Sequence, residues 1–334
     1  MSTINSLSQS LLVRKEIGTL QREMSELQRK IGSDQTAVTY GGYGATDAKT
    51  VVDLRNDVKR MTAYKSTITV VDARAARLDI AYGKLSELGT SVRGETLKVS
   101  TQGVEPKTLQ AEAQLALSTA VDQLNSQVSG HFLFSGQQAD QAPFDLATIR
   151  TGVQTALASV MPGDDAAAAM AAVKSWFATT TNWYAGGAPS SPVNIADDRT
   201  ITPEGQGDAS EIGEFLTNLA VVAYATFDPD PLAGAGFQTM ANYTQLMETA
   251  GVQLTTAVDQ LEGTRARNGA ARASMASQVE TYEDLLTATG QNLNDIEQVD
   301  LAEAIARLNQ MQTTLQATYK TESELRQLSL ANFL

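Results

Sequence analysis

Cysteine is absent and histidine occurs once, at His131, in a chain of 334 residues. Disulfides, zinc ribbons, thiol nucleophiles and every mechanism needing two imidazoles are thereby excluded. Aromatic residues are only 6% and tryptophan occurs twice, so a core has to come from Leu, Ile, Val, Met and Ala, which suits helices better than sheets. No run of about 18 apolar residues is present, and residues 1–18 hold no continuous apolar block, so neither a membrane span nor an ordinary secretory leader is expected. Basic residues are scarce: 25 Lys and Arg against 38 Asp and Glu leave a net charge of -13, a field that repels a phosphate backbone. Nucleic acid is not an expected partner.

Proline is nearly missing from both flanks. Seven of the eight (Pro143, Pro162, Pro189, Pro192, Pro203, Pro229, Pro231) fall between residues 143 and 231. Residues 131–245 also carry twelve acids and three bases. This pattern predicts uninterrupted helical flanks around an acidic, loop-rich insert on the outside of whatever the flanks build.

In the first flank Val13, Ile17, Leu20, Met24, Leu27 and Ile31 recur at spacings of 4, 3, 4, 3, 4, a narrow heptad-like stripe with charges of both signs between. Gly32 reads as its end, and residues to Thr50 as a loop. A second stripe, Leu54, Val58, Met61, Tyr64, Ile68, Val71, Ala75, Leu78, Tyr82, Leu85, Leu88 and Val92, has a mean step of 3.45 residues, which predicts left-handed supercoiling. Pro106 opens a third predicted helix reaching about Val128. Gly130 to Gly136 reads as a strand opening the insert. Within the insert, Asp164 and Asp165 cap a predicted helix ending near Phe177, residues 193–202 form a hairpin, and Asp208 with Glu211 start a helix whose single apolar face holds Ile212, Phe215, Leu219 and Val222.

The last flank resumes near Tyr243 with Leu254, Val258, Leu261, Asn268, Met275, Val279, Tyr282 and Leu286 on one face; Gly290 reads as an interruption. A final helix carries Leu301, Ile305, Leu308, Met311, Leu315, Tyr319, Leu325 and Leu328, and the apolar end at Phe333 and Leu334 reads as docked. Residues 13–31 span one helix of about 27 Å, a length that is marginal in isolation. The expectation is that the two ends pair, and that the pair packs on copies of itself. The expected fold is mainly α, a long antiparallel bundle or coiled coil from both termini with a small α+β domain inserted in the middle. Its divisions are a coiled-coil helix and loop at 1–45, a rod domain at 46–130 and 245–294, the insert at 131–244, and a coiled-coil helix at 295–334.

Sites for chemistry are few. His131 lies in an apolar strand without a second imidazole and reads as a boundary residue. The pairs Asp164 with Asp165, Asp197 with Asp198, and Asp228 with Asp230 lack the glycine of a calcium loop and read as solvation or capping. Gly41, Gly42 and Gly44 lack the Lys-Ser or Lys-Thr of a phosphate loop. No catalytic, metal or cofactor residue is expected, although the acidic insert leaves open a binding or enzymatic module on a helical scaffold.

Asp300-Leu301-Ala302-Glu303-Ala304-Ile305-Ala306-Arg307-Leu308, then Leu315-Gln316-Ala317-Thr318-Tyr319, and the ending Leu328-Ser329-Leu330-Ala331-Asn332-Phe333-Leu334, resemble the C-terminus of the bacterial flagellin family. Ser6 to Leu27 resembles the family's N-terminal helix, and Gln110 to Gly136 the stretch closing its first helical block. The resemblance covers residues 1–136 and 245–334; the insert matches only in position. Gly130-His131-Phe132-Leu133-Phe134-Ser135-Gly136, followed by Pro143-Phe144, looks like the turn of the family's hook-filament junction subunit. Lys30-Ile31-Gly32-Ser33-Asp34 and Gly41-Gly42-Tyr43-Gly44 stand where filament subunits usually carry a Leu-Ser-Ser-Gly turn and an Asn-containing acidic segment.

The resemblance implies a non-enzymatic subunit, exported through the flagellar type III apparatus to an extracellular flagellum, that joins hook to filament; a divergent flagellin forming the filament is the alternative. Its implied partners are copies of itself, a neighbouring hook-associated protein, flagellin, and an export chaperone at the C-terminal helix, with no membrane or cofactor. Self-assembly would use Val13, Ile17, Leu20, Met24, Leu27, Ile31, Leu301, Ile305, Leu308, Met311, Leu315, Leu325, Leu328, Phe333 and Leu334.

Overall fold

The proline-poor flanks form two helices of 58 residues each, α2 (Ala45–Gln102) and α7 (Met240–Glu297). The remaining helices are α1 (Ser2–Ser33), α3 (Pro106–Leu124), α4 (Leu146–Ala158), α5 (Ala166–Phe177), α6 (Ser210–Tyr224) and α8 (Leu301–Ala331). Two hairpins of two-residue strands, β1 (Gln127–Val128) with β2 (His131–Phe132) and β3 (Val193–Asn194) with β4 (Thr200–Ile201), complete a mainly α fold with a small α+β insertion. The structure is a computed structural model that describes residues 2–331 except 38, 104, 162–164, 203–204 and 231–235, with side chains described from 11 to 324 except at 100 and those positions. Pro162, Asp164, Pro203, Pro231, Phe333 and Leu334 thus lie outside the described residues. The chain divides into two units: residues 1–62 with 281–334, and residues 63–280.

In the larger unit, α2 and α7 run antiparallel. Arg272 Nε meets Asp72 Oδ1 at 2.8 Å, Asn268 Nδ2 donates to Ala75 O at 2.8 Å, and Arg265 Nε meets Asp79 Oδ1 at 2.8 Å, so partner numbers fall along one helix as they rise along the other. Ile68, Val71, Ala75, Leu78, Tyr82, Leu85 and Val92 are buried on the predicted stripe, as are Leu254, Leu261, Met275 and the polar Asn268 opposite. The two helices close on small residues: a Cβ at Gly89 would sit 2.5 Å from Val258 Cγ2 and 2.9 Å from Phe215 Cε2.

Five local expectations need correction. First, α3 stops at Leu124 instead of Val128, because Asn125 leaves the helix to exchange two hydrogen bonds with the Phe144 backbone, at 2.8 and 3.1 Å. Second, the strand expected over Gly130 to Gly136 is only His131–Phe132; Ser129 and Gly130 both take positive φ, forming a tight hairpin turn, and Phe134 is drawn into the core edge-on to Tyr82. Third, α6 has no capping box: Ala209 caps it without a side-chain bond, and Glu211 accepts a 2.8 Å bond from Thr264 Oγ1 of α7. Nor does α6 have one apolar face, since Phe215 to Ala225 are all buried, and α3, α4 and α5 all pack against it. Fourth, neither Gly32 nor Gly290 ends a helix. Each adds about 1 kcal/mol of backbone cost, which a long packed helix absorbs. The real stop of α1 is Asp34, at φ 54°. Fifth, α4 was not anticipated. Asp145 caps it, accepting from Ala147 N and Thr148 N, just as Asp165 caps α5 through Ala167 N and Ala168 N.

Two outcomes follow from this packing. Gly89→Ala, which should favour an isolated helix, will lower unfolding free energy by about 1–3 kcal/mol in urea titrations because its methyl collides with Val258 and Phe215. Tyr243 is fully buried with no partner for its hydroxyl among the described residues, and burial pushes its pKa up to about 12; burial first, then the charge of Asp208, pushes Tyr184 up to about 12 as well. The unfolded chain ionises these phenols near the ordinary value of 10.0, so it loses protons first. The contribution of these two phenols to stability will therefore fall as the pH rises from 10 towards 12, and Tyr243→Phe will make that fall shallower in pH-stepped denaturation.

Candidate self-assembly surface

The smaller unit is organised by α1 and α8. Asp300 caps α8, its Oδ1 accepting from Ala302 N at 2.9 Å and Glu303 N at 3.0 Å, with Glu303 at the third helical position as in a capping box. The helices pair antiparallel: Gln21 Nε2 donates to Tyr319 OH at 2.8 Å, and Arg14 Nε lies 3.5 Å from Glu322 Oε1.

Between them runs the stripe that the spacing predicts, but it is incompletely covered. Ile17 and Ala304 are the only buried residues among the described side chains of α1 and α8; Val13, Leu20, Met24, Leu27, Ile31, Leu308, Met311 and Leu315 are half-buried. Leu301 and Ile305 do not join this seam and stand 43% and 48% exposed. With Leu308, Leu315 and the 44% exposed Tyr319 they trace a second stripe, rotated about 45° around α8 from the first by helical geometry. The side chains of Leu325 and Leu328, within α8, lie outside the description. Ala304 was missed in the sequence because a single methyl does not register in a stripe of large residues.

A second group missed in the sequence joins the chain after α1 to the end of α7. Thr36 N donates to Glu297 O at 2.7 Å and Thr36 Oγ1 to Gln298 O at 2.9 Å, occupying carbonyls at the helix terminus. Arg55 spans the same place: Nη2 is 2.6 Å from Glu297 Oε1, Nη1 donates to Tyr40 OH at 3.0 Å, and the guanidinium carbon lies 5.5 Å from the Tyr40 ring centre. The bond to Tyr40, with the charge of Glu297, holds the guanidinium above its ordinary range. Burial, then Glu297, raises Tyr43, whose hydroxyl donates to Ala37 O at 3.1 Å.

The alternative chemistries find little support. His131 is exposed, its Nδ1 3.1 Å from Asp140 Oδ1. Asp165 is a helix cap, Asp197 accepts from Tyr64 OH at 2.8 Å, and Asp228 accepts from Asp230 N at 3.0 Å. Among the described residues no group of three His, Cys, Asp or Glu could hold a metal ion, and no helix is long and apolar enough to cross a membrane.

Residues 252–334, most of α7 and all of α8, match the bacterial flagellin C-terminal helical region. The fold is shared with a structure described as a flagellar hook-associated protein from Vibrio parahaemolyticus, at 13% identity and a TM-score of 0.51 over 75% of this chain and 98% of that one. The crystal structure of Bacillus cereus FlgL is also similar, at 13% identity, TM-score 0.49, and 75% and 100% coverage. No curated protein sequence matches. The similarity to flagellins is thus over residues 252–334, and the likeness to the hook-associated structure is one of fold.

Arg55→Ala will change global stability by about 1 kcal/mol or less, because the ion pair is partly exposed. In amide-exchange mass spectrometry residues 34–44 of that variant will exchange roughly fivefold to tenfold faster than wild type.

Proposed function

We propose that this chain is a non-enzymatic structural subunit of the bacterial flagellum, the adaptor joining hook to filament through helical self-assembly of α1 and α8. The observation that carries the reading is the apolar surface left over when those helices pair within one chain: a half-covered seam, and beside it the exposed stripe of Leu301, Ile305 and Tyr319. A helix with two adjoining apolar stripes is suited to two helical neighbours, and one copy supplies one. Val13, Ile17, Leu20, Met24, Leu27, Ile31, Leu308, Met311 and Leu315 then bind the pair together, Leu301 and Ile305 face the next copy, and Leu325, Leu328, Phe333 and Leu334 extend the contact.

In this reading segments 1–45 and 295–334 form the inner layer, 46–130 with 245–294 the wall, and 131–244 the outward surface. The subunit is exported through the type III apparatus with a chaperone on its C-terminal helix, and sits outside the cell between a hook-associated neighbour and flagellin. The match to the flagellin C-terminal region also favours a second reading, a divergent filament subunit.

Deleting the gene tests both readings. Loss of the adaptor leaves hooks intact and sheds filaments into the medium, loss of a filament subunit leaves no filament at all, and retention of normal filaments refutes the two together. Ile305→Asp with Leu301→Asp will leave the monomer's melting temperature within a few degrees and abolish assembly, as read by sedimentation. In the dilute wild-type monomer, residues 1–45 and 295–334 will exchange amide hydrogens fast and become protected on assembly.

A further inference from the structure

Of the twelve asparagines in the chain only Asn268 is followed by glycine. That pairing has a chemistry of its own. Glycine has no Cβ to shield its backbone nitrogen and leaves the peptide free to turn, so in a flexible chain the nitrogen readily reaches the side-chain carbonyl carbon of the asparagine before it. An N–Cγ bond forms as the Cγ–Nδ2 bond breaks, the proton of the Gly269 N–H leaves with the amide nitrogen as ammonia, and a five-membered succinimide remains. Water then opens the ring at either carbonyl, which puts aspartate or isoaspartate at position 268.

The fold holds this reaction off through conformation. Asn268 lies in the middle of α7, where ψ is held near −42° (about the helical value) and the Cα–Cβ bond tilts towards the helix N-terminus, away from the following nitrogen. That nitrogen is itself tied into the helix by its bond to the carbonyl four residues back. The third restraint comes from α2: the Asn268 side chain is 2% exposed, and its Nδ2 donates to Ala75 O at 2.8 Å. Exclusion of water is not the barrier, since Gly269 is exposed and a Cβ there would meet nothing within 4 Å. Protection therefore lasts only while α7 is helical and paired with α2.

We propose that Asn268-Gly269 is a self-modification site which the pairing of α2 with α7 keeps shut, so that the unfolded chain has a limited lifetime. Neither product fits the closed seam. Aspartate sets a carboxylate against the Ala75 carbonyl, acceptor facing acceptor, beside the buried Met275, and Arg265 and Arg272 are already bound to Asp79 and Asp72. Isoaspartate adds an atom to the main chain and breaks the hydrogen-bond ladder of α7. Ring opening does not restore the amide, so the loss runs one way. Folding and modification thus compete, and whichever comes first excludes the other.

The test ages the full chain in mildly alkaline buffer, folded or in guanidinium chloride, and follows residue 268 by peptide mass spectrometry with the other eleven asparagines as internal references. Residue 268 should react about tenfold faster, or more, in denaturant than in the folded chain, which opens only rarely, and should outpace every other asparagine there. After dilution from denaturant, size-exclusion chromatography should separate refolded chains with Asn268 intact from a misfolded fraction that carries the modification. Gly269→Ala, which keeps the Asn268 bond and places a methyl in open space, should fold like wild type, slow the reaction in denaturant about tenfold and preserve refolding after ageing. Asn268→Asp, made directly, should lower the melting temperature. The proposal is overturned if residue 268 reacts as fast folded as unfolded, if modified chains refold alongside unmodified ones, if aged Gly269→Ala loses refolding to the same extent as wild type, or if Asn268→Asp melts with wild type.

Discussion

The antiparallel contact between residues 63–102 and residues 240–280 is the constraint on which the rest of the larger unit depends. Its apolar stripes repeat close to the heptad period, and its polar members fix the register: Asn268 against the Ala75 carbonyl, Arg272 against Asp72, and Arg265 against Asp79. A slide by one helical turn would strand the Asn268 amide in an apolar seam and drive Val258 away from the gap left by Gly89. Register is therefore set by what each mismatched alternative would bury unpaired, more than by the strength of any one bond. The pairs at Asp72 and Asp79 are partly exposed, so their role is alignment.

The smaller unit depends on a different balance. Its seam repeats the heptad spacing, yet among its described side chains only Ile17 and Ala304 are dry. The same kind of stripe is a finished core in one place and an unfinished one in the other. The difference is the number of helices around it: α6 is enclosed by α3, α4 and α5, whereas α1 and α8 have chiefly each other. The terminal helices are consequently the part of the molecule whose stability a second copy can raise, which is why the proposed function rests on them.

Much of this was legible in the sequence. Long stripes with a mean step of 3.45 average over many residues, so the helices and their buried faces could be read directly, as could the Asp165 cap and the hairpin within residues 193–202. Short or enclosed elements could not. The stripe of α4 is only Ile149, Val153 and Leu157, and α6, wet on no side along most of its length, shows no amphipathic contrast. The clasp of Thr36, Tyr40, Arg55 and Glu297 was invisible because it joins residues up to 262 positions apart through single polar atoms. For the candidate surface, the seam residues were readable while the split between inner and outer stripes was not. Leu301 and Ile305 look like ordinary seam residues until the neighbour of α8 is known.

The enclosure of α6 also governs when the chain can fold. Its walls include Phe215 against the Gly89 region of α2, and its Glu211 is tied to Thr264, so the core draws on segments from both sides of the insert. Contacts that bridge 193 residues, as between Asn268 and Ala75, reward the chain only after a long loop has closed. A chain still lacking residues 240–280 therefore has no contact of this kind holding these parts together. The pairing of α2 with α7 therefore waits for the last third of the chain, whereas α3 to α6, which pack on one another, draw only on residues 106–224.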